Sequence, residues 1–543
     1  MKAGTAAGAG VASAFFLRCG QTKDSNTALP SSSSSPKHGG QRELSYASGW
    51  NIDPQLDINM GAIVSTRVYG HMFYARADSG ETTLLGASKL EQPDDVTYVF
   101  TLRSDMHFQD TPDVRSKYLG VAGRLVTAAD VKYAIDRYRG LAGGPGRDYV
   151  LNRMDQVEAP DDVTVRVTNK SPFSWTLSSL SLGSPLCAPF LAHEVVEKEG
   201  ELKTVAVGSG PFTLDYASQT QGVRFVRNPN YFVPDEPFID SERYRIANDV
   251  ETSEAAFRSG QIDTYVSYNR PQADGLADLP GTYQLKAPDL RVAMFGVNTR
   301  KDPWKDERVV KALHYAIDRD SLILTLEGGK SGDNPEDYGK WCGAMPWGIE
   351  FYALTQEELK KALPPLDIAQ AKALLSAAGL DSVSSTLRHL NILKHPALAE
   401  MIATQLKQAN INLTLEPMDL ATFVSRVPLQ FDFETNSRYN VAMGTPEQPL
   451  RIFLTTGGQG SGSEWGLSYP DVDAAFEETC REFDLEERRQ KVRAVQQLIF
   501  TKYAPVLFLY APYAFYQVRD YVQNVMVAGG NEAWYNYRVW LDK

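Results

Sequence analysis

The hydrophobic positions at residues 292–319 change from a strand pattern to a helix pattern across one short turn. Residues 292–297 form a continuous apolar run, which favours a buried strand. A polar turn containing Pro303 follows, and Asp306 stands where a helix N-cap belongs. The next apolar positions lie on one helical face, which is made of Val309, Val310, Leu313, Ala316 and Ile317. This segment therefore predicts a strand, a turn and a helix with one buried face.

A second alternation, at residues 389–419, predicts a strand, a helix and another strand. Residues 390–393 are predicted as the first short strand, and Pro396 suits the first turn of the helix, which Asn410 closes. The helical positions are Leu398, Ile402, Gln405, Leu406 and Ala409, and the second strand alternates at Ile411, Leu413 and Leu415. Within one sheet, such a unit gives parallel strands with a right-handed connection. Together the two patterns predict an α/β fold.

The first 41 residues differ in composition from the rest of the chain. Residues 3–17 are small and apolar, which is typical of the hydrophobic region of a secretory signal. Cys19 follows in the sequence FLRC, which indicates a lipoprotein cleavage box, although Arg18 departs from the small residue usual there. Residues 21–41 are rich in Ser, Pro and Gly and predict a flexible tether. We expect an exported protein that is lipidated at Cys19, with a free exported protein and a plain disordered tail as alternatives.

Charge and hydropathy narrow the class of protein. The 543 residues carry 55 basic and 67 acidic side chains, and the net charge of −12 argues against binding nucleic acid or anionic lipid through the folded body. No apolar run reaches the roughly 18 residues that a membrane-spanning helix needs. Contact with a membrane is therefore expected only through the N-terminal lipid. Cys187, Cys342 and Cys480 have no metal-binding spacing, and a buried thiol is expected for at least one of them.

Motifs that would indicate catalysis are incomplete in this chain. His193-Glu194 lacks the second histidine of a zinc-protease motif, and GGKS at residues 328–331 lacks the upstream glycine of a phosphate-binding loop. No serine stands in the G-x-S-x-G arrangement of a hydrolase. The acidic pairs Glu477-Glu478 and Glu486-Glu487 lie in a stretch rich in charge, where solvation is expected. We therefore expect no catalytic residue, no metal ion and no cofactor.

Seven segments, in order along the chain, closely resemble the extracytoplasmic solute-binding proteins of peptide-type ABC importers, which are solute-binding family 5. The most informative is FGVNTRKDPWKDERVVKALHYAIDR at residues 295–319, which resembles the segment that opens the second lobe in that family. The other six are YVFTLRSDMHFQD (98–110), LVTAADVKYAIDRY (125–138), VGSGPFTL (207–214), VRNPNYF (226–232), AAFRSGQIDTYV (255–266) and PLDIAQAKALLSAAGL (365–380). Each match is weak alone, but their order over nearly the whole mature chain makes the resemblance strong.

The resemblance implies an α/β, two-lobe fold of the periplasmic-binding-protein type II class, with an extra subdomain inserted in the first lobe. By the family pattern, residues 1–41 are signal and tether, 42–290 the first lobe, 291–512 the second lobe, and 513–543 a return to the first lobe. It also implies a monomer in the periplasm or on the outer face of the cytoplasmic membrane. There it would capture a peptide or related solute for the membrane subunits of an ABC importer. An exported enzyme or sensor on this scaffold, and a binder of an oligosaccharide or metal chelate, stay open as alternatives.

The resemblance also places the residues that line the ligand cleft. They are Trp50 and Asn51 after the first strand, Ser267, Tyr268 and Tyr510 in the segments that cross between lobes, and Arg438, Tyr439 and Asn440 in a second-lobe loop. Peptide-binding members use an aspartate in that loop to pair with the α-amine of the peptide. Here no aspartate occurs between Asp432 and Asp471, and Glu447 is the only acidic candidate nearby apart from Glu434. Arg438 has the right charge for a carboxylate or phosphate, and a salt bridge is the alternative role.

Overall fold

The structure of the protein is a computed structural model. It describes residues 35–46, 51–56, 60–75, 82–141, 152–181, 188–247, 249–267, 269–441, 447–456, 464–503, 505–527 and 536–543. Across these ranges helices and strands alternate, as the hydrophobic pattern predicts. Among the described helices, none has the length and apolar character needed to cross a bilayer.

The strands of the described ranges are numbered in chain order. They are β1 Gln41–Tyr46, β2 Phe73–Ala75, β3 Thr82–Leu84, β4 Ala87–Glu91, β5 Thr97–Leu102, β6 Met154–Glu158, β7 Thr164–Asn169, β8 Phe212–Ser218, β9 Gly222–Arg227, β10 Ser241–Ile246, β11 Thr264–Ser267, β12 Thr282–Pro288, β13 Arg291–Val297, β14 Gly339–Trp341, β15 Val383–Leu390, β16 Ile411–Met418, β17 Thr435–Val441, β18 Val506–Arg519, β19 Val522–Gln523 and β20 Trp540–Leu541.

The α-helices are numbered in the same way. They are α1 Met60–Val68, α2 Pro112–Lys117, α3 Ala128–Gly140, α4 Thr176–Leu180, α5 His193–Glu199, α6 Val250–Arg258, α7 Arg270–Asp274, α8 Glu307–Ala316, α9 Arg319–Glu327, α10 Gln356–Ala362, α11 Ile368–Ala377, α12 His395–Lys407, α13 Leu420–Val424, α14 Glu447–Leu454, α15 Pro470–Arg481 and α16 Leu485–Thr501. Short 3-10 turns cover Pro335–Asp337 and Asn536–Arg538, and a π-turn covers Ser425–Leu429.

Two separate four-stranded sheets form the N-terminal half of the molecule. The first has the order β1-β10-β9-β8, with β1 parallel to β10 and the other pairs antiparallel. Between β1 and β8 the chain builds the second sheet, β4-β5-β7-β6, which is antiparallel throughout. The chain thus leaves the first sheet, completes a second one and returns. This arrangement agrees with a subdomain inserted in the first lobe.

A larger sheet joins the two halves of the molecule, and we call it the shared sheet. Its order is β11-β18-β13-β17-β15-β16, and β12 and β14 also pair with β18. β18 is 14 residues long and changes partner along its length. Its residues 513–519 pair with β12, and its residues 506–510 pair with β13. The strand therefore runs without interruption from one half of the molecule into the other.

The predicted strand–turn–helix at residues 292–319 is confirmed. β13 covers Arg291–Val297, and the carboxylate of Asp306 caps α8 by accepting a hydrogen bond from the backbone N–H of Arg308 at 2.9 Å. The five predicted apolar positions are all buried, and they pack with α11 and α12 against one face of the shared sheet. The periodicity of the sequence therefore located both the elements and the buried face.

The predicted strand–helix–strand at residues 389–419 is right in type and wrong in one boundary. The first strand is β15, Val383–Leu390, rather than residues 390–393. It was missed because its buried positions alternate with polar ones and include Ser385 and His389, so no apolar run marks it. β15 and β16 are parallel, as predicted; the intervening helix ends at Lys407, and Asn410 follows three residues later in the left-handed region at φ 62°.

A substitution of Gly296 tests the packing of the shared sheet. A Cβ atom at this position of β13 would overlap the ring of Trp465, which is fully buried. We expect Gly296→Ala to lower the free energy of unfolding by about 1–3 kcal/mol, the usual cost of overpacking. Gly140→Ala is the matched control, because a Cβ at that position of α3 meets nothing within 4 Å. Urea denaturation that gave both variants the stability of the wild type would contradict this packing.

Candidate ligand-binding site

Two neighbouring residues of β17 lie on opposite faces of the shared sheet. Tyr439 packs against the core that α8, α11 and α12 form on one face. Arg438 contacts Glu464 and the Trp465 ring on the other face. Successive side chains of a strand point in opposite directions, so this separation follows from strand geometry. The prediction of a loop for Arg438, Tyr439 and Asn440 is therefore wrong, because all three lie in strand β17, and this strand contributes to two distinct clusters.

The first cluster is centred on an ion pair between Arg438 and Glu464. The two terminal nitrogens of the guanidinium donate to the two carboxylate oxygens at 2.6 and 2.8 Å, which is a bidentate arrangement. Both side chains are buried, with exposed fractions of 7% and 0%. The Phe423 and Trp465 ring centroids lie 5.9 and 5.4 Å from the guanidinium carbon, and Asn436 accepts a further hydrogen bond at 3.1 Å. Arg438 is therefore held by charge, by aromatic rings and by an amide.

Glu464 is the acidic partner that the sequence failed to identify. The two acidic candidates that were named contact other groups. Glu447 accepts a hydrogen bond from the Ser179 hydroxyl at 3.2 Å, and Glu434 accepts from the Ser385 hydroxyl at 2.7 Å. Glu464 is 26 positions from Arg438, and no spacing rule connects the two. The one local signal was its place directly before Trp465, which packs over the same guanidinium.

The second cluster brings together two of the predicted residues, Tyr439 and Tyr510. Their hydroxyl oxygens lie 2.8 Å apart, and the Tyr510 hydroxyl donates to Glu327 at 2.9 Å. Lys394 pairs with the other oxygen of the same carboxylate at 2.6 Å. Burial raises the pKa of Glu327 and lowers the pKa of Lys394, and their mutual attraction opposes both effects. Tyr510 is fully buried, and its hydroxyl contacts the protein groups Tyr439 and Glu327.

The remaining predicted residues are dispersed. The Ser267 hydroxyl is buried and donates to the carbonyl of Asn269 at 2.9 Å, which stabilises the turn after β11. Asn51 is half-buried, and its side chain accepts a hydrogen bond from the backbone N–H of Asp53 at 2.9 Å. Asn440 is half-buried and pairs with Val292 in the sheet register. Trp50, Tyr268, the proposed lipidation site Cys19, and Cys187 lie outside the described residues.

One group of side chains in the described ranges has ligand atoms close enough for a metal ion. The atoms belong to Asp130, His193 and Glu194 and lie within 4.8 Å of one another. Arg124 already donates to both carboxylates, at 2.8 Å to Asp130 and 3.0 Å to Glu194. Asp130 also accepts from the Thr127 N–H as part of the cap of α3. The guanidinium therefore balances the acidic charge, and the group is best explained as a structural salt bridge.

Cys342 and Cys480 are the cysteines within the described ranges, and both side chains are buried. Burial raises the pKa of the Cys342 thiol well above its ordinary value, so this thiol stays protonated at neutral pH. This agrees with the prediction of a structural, buried thiol for at least one cysteine.

Known proteins that resemble this chain share its two-lobe architecture. The structure of the periplasmic binding protein DppA from Helicobacter pylori, in complex with peptide STSA, matches with a TM-score of 0.76 at 21% identity, over 93% of this chain and 99% of that one. The structure of AgaA from A. tumefacien R10, in complex with agropinic acid, matches with a TM-score of 0.77 at 19% identity, over 93% and 99% of the two chains. At these identities the likeness establishes the fold, and the predicted two-lobe fold is confirmed.

Proteins of similar sequence support the same family. The glutathione-binding proteins GsiB of Salmonella paratyphi A and of Escherichia coli K12 are each 26% identical over 428 residues, which is 77% of this chain and 74% of theirs. The family described as bacterial extracellular solute-binding proteins, family 5 Middle, matches residues 83–461, more than half of the chain. The resemblance that the sequence motifs carried is thus confirmed: the chain belongs to family 5 of the bacterial extracellular solute-binding proteins.

Proposed function

We propose that this protein captures a peptide or a related small polar solute between its lobes and delivers it to the membrane subunits of an ABC importer. The family match over residues 83–461 carries the proposal. This range includes strands β8, β9 and β10 of the first sheet, the whole of the second sheet, and every strand of the shared sheet except β18. Both walls of an interlobe cleft therefore come from family sequence. The GsiB relatives are named for binding glutathione, itself a small peptide-like solute, which supports the same ligand class.

The lobe boundaries are part of the proposal. We assign residues 42–290 and 513–543 to the first lobe and residues 291–512 to the second. The change of partner along β18 supports this division, because the strand leaves β13 at residue 510 and joins β12 at residue 513. Movement of the lobes about these crossing segments would open and close the cleft, and a ligand that contacts both lobes would favour the closed form.

The charge arrangement near β17 suggests how a ligand is recognised. The Arg438–Glu464 pair offers one cation and one anion on a single face of the strand. A zwitterionic solute can place its carboxylate on Arg438 and its ammonium group on Glu464, so that each charge keeps a partner. Asn440 lies on the same face by strand alternation, and Trp50, Asn51 and Tyr268 are proposed to complete the cleft.

A solute without an α-amine is the second candidate. It is favoured by one observation, which is that Arg438 stands in the loop where peptide-binding members are expected to carry an aspartate. We further infer that the protein binds without turnover, because its relatives are named as binding proteins. Stoichiometric binding of a solute that is recovered unchanged would support this role, and chemical conversion of the solute would support the alternative of an exported enzyme.

Loss of Glu464 would leave the Arg438 cation buried without its partner. We expect Glu464→Ala to lower the free energy of unfolding by about 3–5 kcal/mol, the usual cost of breaking a buried pair. Glu478→Ala is the control, because Glu478 pairs with Arg481 at the surface, where the side chains are 57% and 55% exposed. That substitution should cost at most about 1 kcal/mol. Equal urea midpoints for the two variants would contradict a structural role for the Arg438–Glu464 pair.

A bound solute should both stabilise and compact the protein. Binding to the folded state alone adds about 2.7 kcal/mol at a hundredfold excess over Kd, so the melting temperature should rise. Closure of the lobes should also reduce the radius of gyration in small-angle scattering. Reduced glutathione and a set of short peptides are suitable first probes. A probe that raised the melting temperature without changing the scattering profile would rule out closure, and binding itself would stand.

The N-terminus is proposed to carry a lipid on Cys19. In the native host, Cys19→Ser should move the protein from the membrane fraction to the soluble fraction, because a lost acyl anchor removes the apolar contact with the bilayer. Cys187→Ser, which changes a cysteine far from the signal-like segment, should leave the fractionation unchanged. An intact mass of the wild-type protein that corresponded to an unmodified chain with Met1 would exclude lipidation.

A further inference from the structure

A short segment that connects the inserted sheet to the rest of the first lobe contacts helices of the second lobe. We call residues 173–179 the latch segment. The backbone N–H of Ser174 donates to the carbonyl of Cys480 at 2.7 Å, and its hydroxyl donates to the carbonyl of Thr479 at 3.0 Å. Both acceptors lie in the last turn of α15, where carbonyl groups lack the i+4 partner of the helix interior, and the Thr479 carbonyl also accepts from the Glu482 N–H at 3.4 Å. The segment therefore adds hydrogen bonds at the end of α15.

Trp175 is the largest side chain of this contact. It is only 1% exposed, and two of its ring contacts, with Arg488 and Tyr352, come from the second lobe. The Arg488 guanidinium carbon lies 4.7 Å from the Trp175 ring centroid, and the Tyr352 ring lies at 5.5 Å. Arg488 also donates to the carbonyl of Ser174 at 3.3 Å. Arg488 is half-buried, and a stacked cation that is partly removed from water contributes more than one at a fully exposed site.

Polar contacts flank Trp175 on both sides. Arg153, the residue directly before β6, pairs with Glu477 of α15. At the other end, the Ser179 hydroxyl donates to Glu447 of α14. The side chains of Ser179 and Glu447 are buried, so solvent competes little for this hydrogen bond. The contact therefore combines an aromatic centre with hydrogen bonds and an ion pair, all of them between protein groups.

We propose that the latch segment holds the two lobes together in the absence of ligand, and that Trp175 and Arg488 set how much of the free protein is closed. The proposal rests on the lobe division given above, because residues 173–179 and 470–501 then belong to different lobes. All of these contacts join two protein groups, so their free energy favours closure in the empty protein as well as in the loaded one. Trp175 and Arg488 are thus positioning residues, since they act on ligand capture through the conformational equilibrium.

The fraction of free protein that is closed determines the apparent affinity for a ligand. A ligand that requires the closed form binds with an apparent Kd equal to its intrinsic Kd divided by the closed fraction. Weakening the latch segment would lower that fraction and raise the apparent Kd, without loss of any ligand contact. A second consequence is non-additivity, because Trp175 and Arg488 contact each other across the cleft and either change removes the same interaction.

Small-angle scattering of the ligand-free protein tests the latch directly. The samples are the wild type, Trp175→Ala, Arg488→Met and the double variant, each checked for folding by its melting curve. We expect both single variants to have a larger radius of gyration and a larger maximum dimension than the wild type. The double variant should be no more open than the more open single variant. Arg488→Met keeps the aliphatic stem and decides the test if Trp175→Ala fails to fold.

The adjacent arginine of α16 provides a matched control. Arg489 stacks on Phe351 at 5.3 Å and donates to its carbonyl at 2.8 Å, so its contacts stay within the second lobe. Arg489→Met should therefore scatter as the wild type does. Identical profiles for the wild type and Arg488→Met would overturn the latch. Because the samples contain no ligand, that outcome is separate from a failure of the proposed function, which would appear as the absence of any stabilising solute.

Discussion

The pairing of β18 along its whole length is the constraint on which the rest of the structure depends. Its 14 residues are almost all buried, so each backbone N–H and C=O needs a partner within the protein. β11 and β12 supply partners for residues 513–519, and β13 supplies them for residues 506–510. Two parts of the molecule that are distant in sequence are thereby joined in one sheet. Residues 510–512, where the partner changes from β13 to β12, are themselves paired with β14.

Polar groups near residues 510–512 of β18 form hydrogen bonds with one another. The backbone N–H of Asp289 donates to the carbonyl of Pro512 at 3.1 Å, which links the two crossing segments. The Asp289 carboxylate is buried and accepts from the Arg291 N–H at 2.9 Å and from its guanidinium at 2.7 Å. Tyr510 connects the same region to Glu327 of α9. Because a buried charge is costly without its partner, these bonds restrict how the segments can rearrange. The crossing between the two halves of the molecule is therefore stabilised by these polar contacts as well as by strand pairing.

Sequence patterns predicted the parts of the fold that depend on local order. The buried face of α8, the cap at Asp306 and the parallel pairing of β15 with β16 all follow from residue type and spacing. The start of β15 did not follow, because Ser385 and His389 occupy buried positions where the pattern expects apolar residues. The order of the strands in the sheet decides which residues such a strand contacts. A single sequence does not show that order.

The same limit explains the candidate site. The family pattern placed Arg438 and Tyr439 in one loop, and strand alternation then sends them to opposite faces. Glu464 was missed because its pairing with Arg438 spans 26 residues and depends on how the chain returns to β17. The contact of Ser179 with Glu447 spans 268 residues and was equally out of reach. The residue type at each of these positions indicated its charge and hydrogen-bonding groups, but the sequence did not show which of these residues contact each other.

The partnerships around β17 also restrict the charge of a suitable ligand. Arg438 pairs with Glu464, Lys394 with Glu327, and Arg291 with Asp289, so each of these buried or half-buried charges is already balanced. A ligand with a net charge would displace one member of a pair and leave the other uncompensated, which is costly in a buried site. A zwitterion can separate a pair and satisfy both of its members, so the number of opposite-charge contacts rises. If the Arg438–Glu464 pair binds the solute as proposed, solutes that carry both an ammonium group and a carboxylate are favoured, and the distance between these two groups is the geometric variable that selects among them.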